Sequence, residues 1–256
     1  MIGLILGTSE GKNILSLLNR YTDDIFVSTA SAYGGELLKN YRYKILNTRP
    51  LSVQEMIGAL KENGVEILVD ATHPYAVEAT KNIMEACSSL SIEYVRYERP
   101  SVLSRFKDEK IIEIECYEEL YDRLKNIKGT ILNTTGSKNI ETMKALALQN
   151  RIVHRVLPTV ESISKCFSLG IKVEDIVAIK GPVSYELNCS FIREYSAEAV
   201  ILKDSGTQGG TEEKLKACMD TGIYAFVLKR KFIIYENIFY SEDEIVAYIV
   251  KKLRLV

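Results

Sequence analysis

Histidine is nearly absent: His73 and His154 are the two in 256 residues, too few for a His-rich metal centre. The five cysteines, Cys87, Cys116, Cys166, Cys189 and Cys218, are scattered, with no close pair of the kind that clips a metal or forms a redox couple. A reducing, cytoplasmic compartment is expected, with no metal site, and any cofactor has to be organic. Neither sign of charge prevails, since 33 basic side chains face 34 acidic ones; that balance argues against nucleic acid as a partner. Long apolar runs are missing too. No stretch approaches the roughly 20 residues a bilayer requires, and the apolar start, residues 1–7, is short and lacks a basic leader. A soluble protein without membrane partners is expected.

What the chain does have is 46% hydrophobic residues, enough to bury a large core in one α/β unit or two. Short β-rich apolar runs at 2–6, 24–29, 66–69 and 92–97 alternate with amphipathic stretches at 11–19, 53–63 and 76–90. This rhythm predicts βαβ units on a mostly parallel sheet. Near Pro100 the rhythm restarts. Strands are predicted at 111–115, 130–134, 151–156, 175–179, 199–202 and 224–228, with helices between them. The expected fold is α/β, two Rossmann-like doubly wound domains, residues 1–100 binding a cofactor and 101–256 facing a substrate, with a ligand cleft between them.

Chemistry concentrates at the predicted strand ends. Gly7-Thr8-Ser9-Glu10-Gly11 follows the first strand and opens the first helix, where free backbone N–H groups meet phosphate. Its glycines are spaced by four, unlike the G-x-G-x-x-G fingerprint, and a plain connecting turn is the alternative. Ser28-Thr29-Ala30-Ser31 ends the second strand without the carboxylate that would hold a ribose 2′-hydroxyl. With Lys39 or Arg42 available to a 2′-phosphate, NADPH is favoured over NADH; ordinary strand-end hydroxyls are the other reading. Asp70-Ala71-Thr72-His73-Pro74-Tyr75-Ala76 ends the third strand, with Ala71, Thr72, His73 and Pro74 placed for a cofactor and Tyr75 or His73 for proton delivery. Asp70, Thr72 and Pro74 read equally as the cap and first turn of the next helix. Arg96 and Arg99 suit carboxylates or phosphates, unless they pair with Glu98 or another acid nearby. In the second half Thr135-Gly136, Lys180-Gly181-Pro182 and Lys203-Asp204-Ser205-Gly206 each follow a strand, a reasonable cradle for an acidic ligand.

Taken in order from residue 1 to about 230, these blocks resemble the precorrin-6A reductase family; DATHPYA at 70–76 and R-x-E-R-P at 96–100 are the specific ones. The 205–210 loop spaces its glycines further from Ser205 than the family pattern does, and residues 232–256 extend past the familiar motifs. The resemblance implies NADPH-dependent reduction of a macrocycle double bond in a cobalamin precursor, with Arg96, Arg99, Thr135, Gly136, Lys180, Lys203 and Ser205 meeting the carboxylates of a tetrapyrrole. It adds Asp204 to Tyr75 and His73 as candidate proton donors, solvent being a fourth. The motifs do not distinguish a cobalt-containing macrocycle from a metal-free one. Two other classes compete. A dehydratase or sugar-modifying enzyme on this scaffold would carry Tyr-x-x-x-Lys; Tyr121 and Lys125 have that spacing but lie away from any strand end. The other is a nucleotide sensor without catalysis.

Overall fold

A computed structural model describes residues 1–7 and 11–255; Thr8, Ser9 and Glu10 of the glycine loop lie outside the described residues. The chain opens with β1 (Ile2–Leu6), α1 (Gly11–Leu18), β2 (Ile25–Thr29), α2 (Ala32–Glu36), β3 (Ile45–Asn47), α3 (Val53–Glu62), β4 (Ile67–Ala71), α4 (Val77–Leu90) and β5 (Glu93–Tyr97). A second series follows: β6 (Ile111–Ile114), α5 (Glu119–Leu124), β7 (Thr130–Asn133), α6 (Ile140–Ala145), β8 (Ile152–Val156), α7 (Val160–Ser168), β9 (Ile176–Ala178), α8 (Tyr185–Glu194), β10 (Ala197–Lys203), α9 (Thr211–Thr221) and β11 (Tyr224–Leu228). The chain ends with β12 (Ile238–Phe239) and α10 (Glu242–Leu253).

These elements build two six-stranded sheets in which every described ladder is parallel. The first runs β12-β5-β4-β1-β2-β3, the second β6-β11-β10-β7-β8-β9. β1 shows why the sequence yields such a sheet. All five of its residues are buried, as parallel strands covered on both faces require. Period two then sorts them: Leu4 and Leu6 join Ile14, Leu15 and Leu18 of α1, while Ile5 faces the other way toward Met56, Leu60 and Ile83 of α3 and α4. Ser52 starts α3 with a capping box, its hydroxyl accepting from Glu55 N and Glu55 Oε2 accepting from Ser52 N at 2.9 Å.

The two compact units are Met1–Arg99 with Phe232–Val256, and Pro100–Lys231. The expected assignment of the tail to the second domain is corrected by this division. Residues 232–256 return to the first unit because β12 pairs with β5 and α10 buries Ile245, Val246 and Ile249 in the α1 cluster. Among the described residues no helix is long and apolar enough to cross a membrane, and no cluster of His, Cys, Asp and Glu is arranged to hold a metal.

Candidate functional site

In the first sheet the chain works outward from β1 in both directions, so β1 and β4 flank a reversal of strand order. Ligands of open parallel sheets bind at the carboxyl ends of such a strand pair. Gly7 and Ala71 lie side by side there, Gly7 N donating to Ala71 O at 3.0 Å. A Cβ on Gly7 would stand 3.3 Å from that oxygen and 3.4 Å from His73 N, so glycine lets the two turns run in contact.

The β4 turn is held from beneath by ion pairing. Asp70 is fully buried; its Oδ1 accepts Thr72 N at 2.9 Å, forming an Asx turn, and its Oδ2 accepts the Tyr94 hydroxyl at 2.8 Å. Arg96, its register neighbour on β5, places Nη1 2.9 Å from Asp70 Oδ1 and donates to Thr72 Oγ1 at 3.0 Å and Thr72 O at 3.1 Å. Its Nε and Nη2 both donate to Glu98 Oε2, at 2.9 and 2.8 Å, and the Tyr235 ring lies 5.7 Å from the guanidinium carbon. Arg96 is 1% exposed. The expectation that it contacts substrate is corrected: its donors are spent on Asp70, Thr72 and Glu98, and it positions Thr72. Arg99, just past β5, is also buried.

Above this buttress, His73 Nδ1 accepts Tyr75 N at 3.3 Å, which leaves the proton of a neutral imidazole on Nε2. The His73 and Tyr75 rings lie 5.7 Å apart, both half-buried. Pro74 is buried between them. The alternative reading of 70–74 as a helix cap does not hold, because α4 starts at Val77 and its N-cap, Ala76, makes no side-chain capping bond.

At the end of β2, Ser28 and Thr29 are buried. Ser28 Oγ accepts from Asn47 Nδ2 at 2.9 Å and Thr29 Oγ1 donates to Ser31 O at 3.1 Å. Their hydroxyls tie β2 to β3 and the following turn, a correction to their expected contact with a cofactor; Ala30 is exposed beside them. Arg42 is tied to Asn19, which follows α1, at the amino-terminal edge of the sheet, and so is on the wrong edge for a phosphate at the strand ends. Lys39 is exposed and paired with Glu36.

In the second sheet the reversal falls between β7 and β10, and both strands end in the same device as β4. Asn133 Oδ1 accepts Thr135 N at 3.1 Å and Thr135 Oγ1 at 2.7 Å; Asp204 Oδ1 accepts Gly206 N at 3.4 Å. Gly136 and Gly206 have φ of 88° and 70°, left-handed conformations that glycine adopts without strain. The second turn is closed by Thr211, whose hydroxyl accepts Ser205 N at 3.0 Å. Asp204 is buried and its Oδ2 sits 3.1 Å from Arg230 Nε. The expectation of Asp204 as proton donor is therefore corrected to a loop-holding acceptor. Thr135, Gly136, Lys203 and Ser205 come to this one crevice, Ser205 and Thr135 buried and Lys203 half-buried. Burial, with Lys138 adding repulsion, pushes the Lys203 ammonium down to about 8. Lys180 is exposed in the turn after β9.

Sequence reading misses several partners. Tyr94 and Arg96 on β5 and Glu98 just past its end fall at period two, a signal that could have tied them to Asp70. His154 gave no such signal: it is 2% exposed and its Nδ1 lies 3.0 Å from Asn133 Nδ2. Since Asn133 Oδ1 is the acceptor for Thr135, the amide nitrogen is the donor to His154. Burial pushes that imidazole down to about 4.

Two parallel sheets, each with an Asx turn at its strand-order reversal, define an α/β protein of Rossmann-like, doubly wound form. Comparison with known proteins narrows this. The family described as precorrin-6x reductase CbiJ/CobK matches residues 1–250, and the chain belongs to that family. A cobalt-precorrin-6A reductase from Priestia megaterium is 31% identical over 99% of this chain and 100% of its own. One from Methanocaldococcus jannaschii is 34% identical over 96% of each chain. Among solved structures, a CobK precorrin-6A reductase superimposes with a TM-score of 0.79 at 17% identity, covering 98% of this chain and 96% of that one; at that identity the likeness speaks for the fold.

Proposed function

We propose that this chain reduces a macrocycle double bond of cobalt-precorrin-6A or precorrin-6A, giving the corresponding precorrin-6B, with NADPH as reductant. The observation that carries the reading is the β1–β4 crevice in a chain whose family is named for this reductase: Gly7 packed without a side chain against Ala71 and His73, beside a helix α4 whose amino end has no side-chain cap. Such a helix end offers N–H groups and a positive dipole to an anion. Gly11 fits as well, since a Cβ there would stand 2.2 Å from Leu6 Cδ2; only glycine lets α1 lie this close to β1. The lack of a carboxylate after β2 favours NADPH over NADH.

A nicotinamide cofactor supplies a hydride when bound, and the second hydrogen arrives as a proton on the adjacent carbon. Gly7, Gly11, Ala71, Thr72, Pro74 and Ala30 are assigned to holding the cofactor. His73 Nε2–H and the Tyr75 hydroxyl are the proton donors within this motif. Arg99, Thr135, Gly136, Lys180, Lys203 and Ser205 are assigned to the substrate's carboxylates, for which Lys and Arg give the strongest hydrogen bonds.

The test is oxidation of NADPH, and separately NADH, with each macrocycle. Turnover with NADPH supports the reading; a folded protein that binds NADPH and turns over neither macrocycle overturns it in favour of a nucleotide sensor. At saturating NADPH, Tyr75→Phe and His73→Gln identify the donor by a fall in kcat of about 10² or more; a variant that keeps its rate removes that residue.

A further inference from the structure

At three strand ends an aspartate or asparagine folds the next turn, and each meets a basic side chain from the neighbouring strand. Asp70 on β4 has Arg96, its register neighbour on β5. Asp204, just past β10, has Arg230, which follows β11. Asn133 on β7 has His154, its register neighbour on β8. Charge is matched each time: the two carboxylates take arginine, and the neutral amide takes an imidazole that burial keeps neutral, its pKa pushed down to about 4.

In the third pair every proton is placed by its neighbour. Thr135 N–H, which can only donate, lies 3.1 Å from Asn133 Oδ1, so that atom is the amide oxygen. The amide nitrogen, also only a donor, then faces His154 Nδ1 at 3.0 Å, and Nδ1 is the lone-pair nitrogen of the ring. His154, Asn133 and Thr135 are all buried. Turning either the amide or the ring over would set donor against donor and leave a buried group unbonded, which native interiors avoid. The same chain continues into the turn. Thr135 Oγ1 donates to Asn133 Oδ1 at 2.7 Å, and Thr135 O accepts from Asn139 Nδ2 at 2.9 Å. Gly136 comes next, and a Cβ on it would meet no atom within 4 Å. The turn is therefore fixed from within and open on its outer side, at the strand-order reversal where ligands of such sheets bind.

We propose that His154 is a positioning residue for the substrate: by accepting from Asn133 Nδ2 it keeps Oδ1 turned toward Thr135, and so holds Thr135 and Gly136 in the form that receives the tetrapyrrole. That these two residues meet the tetrapyrrole rests on the reductase reading above; that His154 orients their turn does not. Without an acceptor at Nδ1 the Asn133 amide has no partner for its nitrogen, and the turn loses the single orientation of the group that closes it.

Two measurements on a pair of variants test it. His154→Asn puts a side-chain oxygen where histidine carries Nδ1, whereas His154→Phe keeps a ring and has no acceptor. In steady-state assays with cobalt-precorrin-6A and NADPH, His154→Phe is expected to raise KM for the tetrapyrrole about tenfold, with KM for NADPH unchanged, and His154→Asn to restore the wild-type value. His154→Leu replaces His154→Phe if the latter does not fold. Separately, without substrate or cofactor, hydrogen exchange of peptides covering 134–137 is expected to run about tenfold faster in His154→Phe than in His154→Asn, while peptides covering β11 exchange alike in the two. An unchanged KM for the tetrapyrrole in His154→Phe overturns the proposal. So does a His154→Asn variant as impaired as His154→Phe, which would mean that the ring is needed for its packing and not for its lone pair. If the wild type turns over neither macrocycle, the reductase reading fails by itself and the exchange comparison decides: faster exchange at 134–137 in His154→Phe alone upholds the positioning role, and equal exchange in both variants overturns it.

Discussion

An arginine that is 1% exposed must find acceptors inside the protein, and Arg96 finds Asp70, Thr72 and Glu98. Arg96→Met would leave the fully buried Asp70 carboxylate without its cation, a loss of about 3–5 kcal/mol where one partner of a buried pair is removed. Denaturant unfolding checks this; a variant that keeps its stability and shows only a raised substrate KM would restore the substrate role read from the sequence. The DATHP block is legible as a site because His, Pro and Asp cluster after a strand. The role of Arg96 is not, because fork geometry fits a substrate carboxylate and a buried one equally well. His154 is illegible for a similar reason: one histidine inside an apolar strand carries no pattern. Its burial does have a measurable consequence. With a folded pKa of about 4 against about 6.5 unfolded, the folded form refuses a proton that the unfolded chain accepts. Its effect is nil above pH 6.5, grows as pH falls, and levels off near pH 4 at a destabilisation of roughly 3 kcal/mol. His154→Gln is expected to flatten that part of the stability–pH curve; an unchanged slope between pH 6.5 and 4 would show that other groups cause it.

At the scale of elements, strands with long buried runs are readable, and two short elements of the first unit are not. All five residues of β1, β2 and β4 are buried, so composition marks them as strands. β3 has three residues, all half-buried, and α2 has five; neither is long enough to show a period. The contact between α1 and β1 depends on one position. A Cβ on Gly11 would stand 2.2, 2.8 and 2.9 Å from Leu6 Cδ2, Cγ and Cβ, and Leu6 is buried. Gly11→Ala is therefore expected to push α1 off the sheet, at about 1–3 kcal/mol, and to weaken NADPH binding by displacing the helix end. A double-mutant cycle with Leu6→Ala separates this clash from a general loss of structure. The double variant is expected to be more stable than the sum of the single effects by about 1 kcal/mol or more. Additive effects would mean that the helix does not rest on Leu6.

At the scale of the whole chain, the fold class follows from the βα rhythm, whereas the path of the tail does not. β12 is two residues long, and nothing periodic in 232–241 announces that the chain goes back to an earlier sheet. Its return is fixed by contacts distant in sequence. Arg96 N donates to Asn237 O and Glu98 N to Phe239 O, both at 2.8 Å. α10, with Glu242, Asp243 and Glu244 in its first turn and Lys251 and Lys252 in its last, is charged to suit its own dipole. Its buried Ile245, Val246 and Ile249 pack with α1. At about 1.5–3 kcal/mol for each such side chain, their loss amounts to roughly 5–9 kcal/mol, comparable with the 5–15 kcal/mol that holds a typical domain folded. A chain ending at Lys231 should therefore lose its first unit and keep its second, whose core of Leu132, Val200, Leu215 and Val227 draws on no residue past 231. Hydrogen exchange followed by mass spectrometry would show this directly: peptides from 1–99 unprotected, peptides from 100–231 protected as in the full chain. Protection of both would mean that β1 to β5 and their helices are stable without the tail, and that the tail serves the exposed edge of β5 more than the core.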